Sequence, residues 1–208
     1  MPAAFSSRPE TAGQACAAAL ALLLACFPAC ALAQHVQLED VMLPAQTSVG
    51  GQKMLLNGAG LRTFLGFRVY VAALYLPVPM REAGRVLESD TPSRLQLTLL
   101  RDTSMEHNLE ALRAGLHGNH SAAELEAIKS EIALFFGLIQ TVRELPAGTV
   151  IQLDYQPGTG VSVRIGGRNL GLIPGERFNR AILKIWLGHD PTQISLKKSL
   201  LGIESQAL

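Results

Sequence analysis

The sequence predicts an α+β domain, one antiparallel sheet with a layer of helices packed on one face. Three observations carry this. The first half is rich in strand patterns, above all the long apolar run Phe67 to Leu76. Near Thr103 the apolar period changes from two to about 3.6. Beyond Thr149 the chain returns to alternating strands with glycine turns, then closes with two more helical segments. With 208 residues, 48% hydrophobic and 17% charged, the chain suits one globular domain. The formal net charge of +1 gives no electrostatic footprint for nucleic acid or an anionic membrane.

The first residues differ from the rest. Ala15 to Ala33 carries no charge and is rich in Ala and Leu, with Arg8 upstream and Ala31-Leu32-Ala33 before Gln34. A basic start, an apolar core and an A-x-A site predict a secretory signal peptide over residues 1–33, cleaved after Ala33. The protein is then periplasmic or secreted, and residues 34–208 form the mature domain. Two other readings stay open. The run is long enough for an uncleaved anchor, although Pro28 weakens it. Leu23-Leu24-Ala25-Cys26 also resembles a lipoprotein site, with Cys26 lipidated. Cys16, Cys26 and Cys30 all lie in this leader, so the mature domain has no disulfide and no cysteine nucleophile or ligand.

In the mature chain, Val36 to Leu43 reads as a strand and Gly50-Gly51 as a turn. Met54-Leu55-Leu56 precedes Gly58-Ala59-Gly60, read as a turn that aims Arg62. The strand Phe67 to Leu76 is apolar on both faces and predicts cover on both sides. A short helix follows within Arg81 to Asp90, over the sheet edge. A half-buried strand with Leu95, Leu97 and Leu99 comes next. Thr103 with Glu106 reads as a capping box for a helix carrying Met105, Leu109, Leu112 and Leu116 until Gly118-Asn119. Ser121 with Glu124 opens a second helix, with Leu125, Ile128, Ile132, Phe135 and Ile139 as its buried stripe. Thr149 to Tyr155, Val161 to Ile165 and Asn169 to Ile173 form a meander; Asp154 and Tyr155 belong to it. Arg177 to Leu187 is a third helix with Phe178, Ile182, Ile185 and Trp186 inward. Asp190-Pro191 reads as the cap and first turn of a last helix closed near Gly202.

Arg62 is the first candidate for chemistry. Its guanidinium stays charged at physiological pH and can hold a carboxylate or phenolate by two parallel hydrogen bonds. A surface acid or backbone carbonyls would satisfy it equally well, and the residues alone leave both readings open. His107, His117 and His120 are the other candidates, the last two spaced as a metal or haem-iron pair, although Gly118-Asn119 breaks the helix between them. Gly58-Ala59-Gly60 lacks the continuation of a phosphate loop.

Asn57 to Pro77, NGAGLRTFLGFRVYVAALYLP, resembles the chalcone isomerase superfamily, in particular its bacterial chalcone isomerase-like branch. The resemblance spans most of the chain after the leader and implies the chalcone isomerase-like fold. It places Arg62, in a G-x-G-x-R pattern, at the bottom of a ligand cleft. The enzymes' strand threonine corresponds to Tyr70, five residues before Tyr75-Leu76, and their helix-ending asparagine to Asn119. Their tyrosine and lysine positions fall at Leu112 and Gly115, and their late hydroxyl near Ile185, beside Trp186. Most of the polar network that would stabilise a cyclising transition state is thus replaced by apolar groups. The superfamily includes fatty-acid binders that keep the arginine, and mitochondrial relatives reported as haem proteins. The resemblance therefore implies a non-catalytic binder of a fatty acid or similar apolar anion, with Arg62, Tyr70, Asn119 and Trp186 as ligand-binding residues and no cofactor. The alternatives are an intramolecular lyase of the chalcone isomerase type and a haem protein.

Overall fold

The computed structural model describes Met1 and residues 35–203. The expected signal peptide, its cleavage point and the cysteines lie outside the described residues. Eleven strands and six helices follow one another in this part.

The region expected as one strand at Val36 to Leu43 is a hairpin of β1 (His35–Leu38) and β2 (Val41–Pro44). Seven further strands make one antiparallel sheet: β3 (Gln46–Val49), β4 (Gln52–Phe64), β5 (Phe67–Leu76), β6 (Ser93–Leu99), β9 (Val150–Gln156), β10 (Gly160–Ile165) and β11 (Arg168–Ile173). Their spatial order is β11-β10-β9-β6-β5-β4-β3. A small pair, β7 (Thr103–Ser104) with β8 (Glu144–Leu145), flanks the helices. The helices are α1 (Ala83–Glu88), α2 (Met105–Asn119), α3 (Ala122–Glu126), α4 (Lys129–Ile139), α5 (Glu176–Leu187) and α6 (Ile194–Leu200).

β5 is the hub, and its side chains supply two cores. Ala72, Leu74 and Leu76 join the helix layer, including Phe178, Ile182 and Leu196, in the main core. Val71, Ala73 and Tyr75 face the other way onto Val41 and Leu43 of the β1–β2 hairpin. Cover on both sides is therefore real. Helices take one face and a hairpin part of the other.

The sheet curls toward the hairpin side. On that face Arg94 of β6 meets Asp154 of β9 through two bonds of 2.6 and 2.7 Å. The same guanidinium donates to Thr47 Oγ1 and the Ser48 carbonyl of the edge strand β3, at 2.6 and 3.2 Å. Arg94 and Asp154 are 9% and 8% exposed, so the pair is desolvated as well as doubly bonded. Tyr75, whose hydroxyl has no partner among the described residues, packs close by; burial pushes its phenol up to about 12 against the pull of the Arg94 charge. Tyr155, across the sheet, donates to Asp90 at 2.5 Å.

Several local expectations change. Gly58-Ala59-Gly60 is no turn, because β4 runs unbroken through it to Phe64. A Cβ on Gly58 would stand 2.1 Å from the Ser199 carbonyl oxygen, and one on Gly60 2.7 Å from Ser199 Cβ. The glycines let α6 lie on the strand. Asn57 fastens the same junction, donating to the Leu200 carbonyl at 2.8 Å and accepting from Met80 N at 2.6 Å. The actual turn is Leu65-Gly66, both at positive φ, a two-residue hairpin loop. Gly58→Ala is expected to cost at least about 1–3 kcal/mol, since backbone atoms cannot step aside. A shift in urea midpoint at unchanged slope measures it.

The helix ends differ as well. Ser104, not Thr103, caps α2, accepting from His107 N at 3.3 Å. Thr103 is used in the β7–β8 pair. The Ser121–Glu124 box is present, but its helix breaks into α3 and α4 at Ala127-Ile128, where Ile128 leaves helical geometry with its side chain buried. Asp190-Pro191 starts no helix; α6 begins at Ile194 with Gln193 at its N-cap.

Candidate functional site

Between the sheet and the helix layer lies an apolar cavity of about 90 Å³. Its floor is sheet, including Leu97, Ile151 and Val163; its roof comes from Met105 and Leu112 of α2 and Phe135 of α4. Ile185 and Trp186 of α5 close one side. Two of the positions that the resemblance matched to polar catalytic residues, Leu112 and Ile185, line this space with hydrocarbon. Gly115 does not line it but lets α2 approach α5, since a Cβ there would sit 2.7 Å from Ile185 Cγ2.

One end of the cavity is polar. Tyr70 of β5 projects there, and its hydroxyl accepts a 2.9 Å hydrogen bond from Trp186 Nε1. Burial raises the phenol above its usual range; the Trp186 bond, the Arg62 charge and the nearby Thr192 hydroxyl act in the other direction. The phenol is therefore neutral at pH 7 and keeps its own proton for a further acceptor. Thr192 also lines the cavity, and its buried hydroxyl meets no hydrogen-bond criterion with the described residues, although it lies near enough to Tyr70 to act on it.

Arg62 pairs with Tyr70 across β4 and β5, so both side chains leave the sheet on the helix side. Its Nη1 donates to the Thr63 carbonyl at 2.5 Å and to Gln193 Oε1 at 3.1 Å. Gln193 Oε1 also accepts from Thr63 N at 3.0 Å, and Gln193 Nε2 donates to Ser195 Oγ at 2.7 Å. Among the described residues Arg62 forms no ion pair. Arg62 itself does not line the cavity; its charge reaches the polar end through Tyr70, and its guanidinium is held by the Thr63 carbonyl of β4 and by Gln193 at the N-cap of α6.

Asn119 is placed otherwise. Its amide donates to the carbonyls of Gly115 and Asp190, at 2.9 and 2.7 Å, and its oxygen accepts from Asp190 N at 3.0 Å. It staples the end of α2 to the segment after α5 and does not line the cavity. Thr192 and Gln193 had no place in the sequence reading, because Asp190-Pro191 looked like a helix start. A Thr-Gln pair just beyond a Pro, read as loop instead of first turn, was the signal available.

The histidines are spread out. His107 and His117 are exposed, while the His120 ring is held by the Leu116 carbonyl at 2.8 Å through Nδ1. Its Nε2 is buried without a partner among the described residues. Among the described residues no group of three or more His, Cys, Asp or Glu side chains is placed to hold a metal. Burial lowers the His120 pKa below its usual 6.5; the Leu116 bond and Glu124 oppose this, while Lys184 and His189 add to it. A histidine whose folded pKa is depressed binds fewer protons folded than unfolded. Its contribution to stability is thus present above pH 6.5 and is lost as the pH falls through the folded value. Urea midpoints between pH 7.5 and 5 should fall more steeply for the parent than for His120→Gln.

A curled antiparallel sheet with a helix layer and an apolar cavity between them defines an α+β protein of the chalcone isomerase-like class. The chain belongs to the chalcone isomerase-like family, whose model matches residues 35–202. Among solved structures it is similar to a fatty-acid-binding protein of Arabidopsis thaliana, with 19% identity and a TM-score of 0.63. That match covers 81% of this chain and 96% of the other. No curated protein sequence matches it significantly. Among the described residues no helix is long and apolar enough to cross a membrane.

Proposed function

We propose that this protein is an exported, non-catalytic binder of a fatty acid or similar apolar anion. The observation that carries the reading is the shape of the chemistry in the cavity: hydrocarbon along its length, and at one end Tyr70 and Thr192 in front of an arginine that has no acidic partner among the described residues. Such a layout matches one ionised head group and one apolar tail. The Arabidopsis relative in structure, by its description a fatty-acid-binding protein, supports the same reading. Export rests on the uncharged run and the Ala31-Leu32-Ala33 site of the leader.

Hydrophobic burial supplies the affinity in this account, and the polar end supplies orientation. At about 90 Å³ the slot is narrower than the roughly 300–1,000 Å³ typical of small-molecule sites. A long acyl chain therefore enters by moving flexible side chains of α2, Met105 and Leu112 first. Leu112→Trp fills the slot while leaving Arg62 and Tyr70 untouched. Isothermal titration with a medium-chain acid is expected to show binding by the parent and none by Leu112→Trp. Equal binding by the two would place the ligand elsewhere.

A further inference from the structure

The turn between β4 and β5 carries exposed apolar side chains that ligand binding inside the cavity does not use, next to Arg62, which it does. Phe64, Leu65 and Phe67 surround it and are 52%, 81% and 60% exposed. Arginines flank them: Arg62 lies 5.7 Å from the Phe64 ring centre and Arg101 4.9 Å from that of Phe67. Neither arginine is in an ion pair among the described residues, whereas Arg68 pairs with Glu39. Asp40 borders the hollow beside Phe67, so the local balance is mildly basic within a chain of net charge +1.

We propose that this hairpin tip docks the protein on a lipid bilayer surface, inserting Leu65 and its two phenylalanines at headgroup depth while Arg62 and Arg101 meet lipid phosphates. Area and shape decide against a protein partner. A stable protein interface takes about 800 Å² from each side, and three side chains on a two-residue turn offer far less. A protruding apolar tip ringed by guanidinium groups suits the interfacial layer, which accepts apolar groups to a depth of about 5–10 Å. Position agrees with shape. At about 3.3 Å per residue, Arg62 stands roughly 7 Å behind Phe64 and Tyr70 roughly 10 Å behind Phe67. A docked tip thus brings the polar end of the cavity to the level of the lipid head groups. Acid would pass between bilayer and cavity there; this last clause alone rests on the binder reading.

The test is flotation of the protein, expressed from its full-length gene, with vesicles of phosphatidylethanolamine and phosphatidylglycerol. Leu65→Asn combined with Phe67→Ser should lower partitioning by about tenfold or more. Both positions are exposed, and an unchanged thermal midpoint verifies the fold. A second readout uses Leu65→Trp. Trp186, the single native tryptophan, is 3% exposed and lines the cavity, so the parent is the control: a blue shift of Leu65→Trp emission on adding vesicles, beyond that of the parent, reports the tip entering an apolar phase. No partitioning by the parent overturns the proposal. So does partitioning that the double variant leaves unchanged, which would assign it to the leader, or Leu65→Trp emission that does not move. A double variant that turns a dimer into a monomer, without a change in partitioning, would make the tip a contact between copies instead. Acid binding is titrated separately with a medium-chain acid in the absence of vesicles. Tip-dependent flotation without acid binding leaves docking standing and removes the binder reading; acid binding without flotation does the reverse.

Discussion

Asp154→Ala is expected to destabilise the fold by about 3–5 kcal/mol, the usual result of stranding one member of a buried ion pair. Its partner Arg94 would remain 9% exposed, with only Thr47 and the Ser48 carbonyl to receive its donors. The loss would be structural in a specific way. Arg94 joins β6, β9 and the edge strand β3, so the pair closes the curl of the sheet over the β1–β2 side. Removing both charges with residues of similar volume, Arg94→Met with Asp154→Leu, should recover much of the stability, because the desolvation cost of both ions disappears together. Chemical denaturation of the two singles and the double closes the cycle. A single variant within about 0.5 kcal/mol of the parent would show that the pair is solvated.

Arg62→Ala is expected to weaken binding of a medium-chain acid roughly ten- to hundredfold, the range for hydrogen bonds to a charged group. Folding stability should change little, since the side chain is half-buried and forms no ion pair among the described residues. The alternative role is visible in the same contacts. Arg62 bonds the Thr63 carbonyl and Gln193, and a purely structural arginine would give the opposite pattern: lost stability and unchanged affinity. Gln193→Ala separates the two further. It leaves the charge in place but frees the guanidinium, so it should weaken binding by less than Arg62→Ala does.

Much of the sheet was legible because its signals are local. Phe67–Leu76 has the limits that its β-branched and aromatic run predicts, and the meander after Val150 follows its glycine turns. What failed depended on contacts distant in sequence. Gly58 and Gly60 look like a turn until α6, some 140 residues later, is laid across them. The break at Ala127-Ile128 has no Pro or Gly to announce it; the chain leaves the helix there with Ile128 buried. Of the positions that the resemblance marks, Leu112, Ile185, Tyr70 and Trp186 line the cavity, whereas Arg62 and Asn119 do not. Thr192 and Gln193 were hidden by the Asp-Pro pair ahead of them. Asn119 was matched correctly to a helix end, but the amide is spent on backbone groups, which no spacing rule reveals.

Native mass spectrometry of the protein, expressed with its leader and recovered without detergent, tests the account most directly. The prediction is a polypeptide beginning at Gln34 that carries one apolar acid, released on denaturation and largely absent from Arg62→Ala. An empty parent that cyclises a chalcone at a measurable rate would contradict it and return the cavity to catalysis, and a bound haem mass with a Soret band would assign the protein to pigment binding instead.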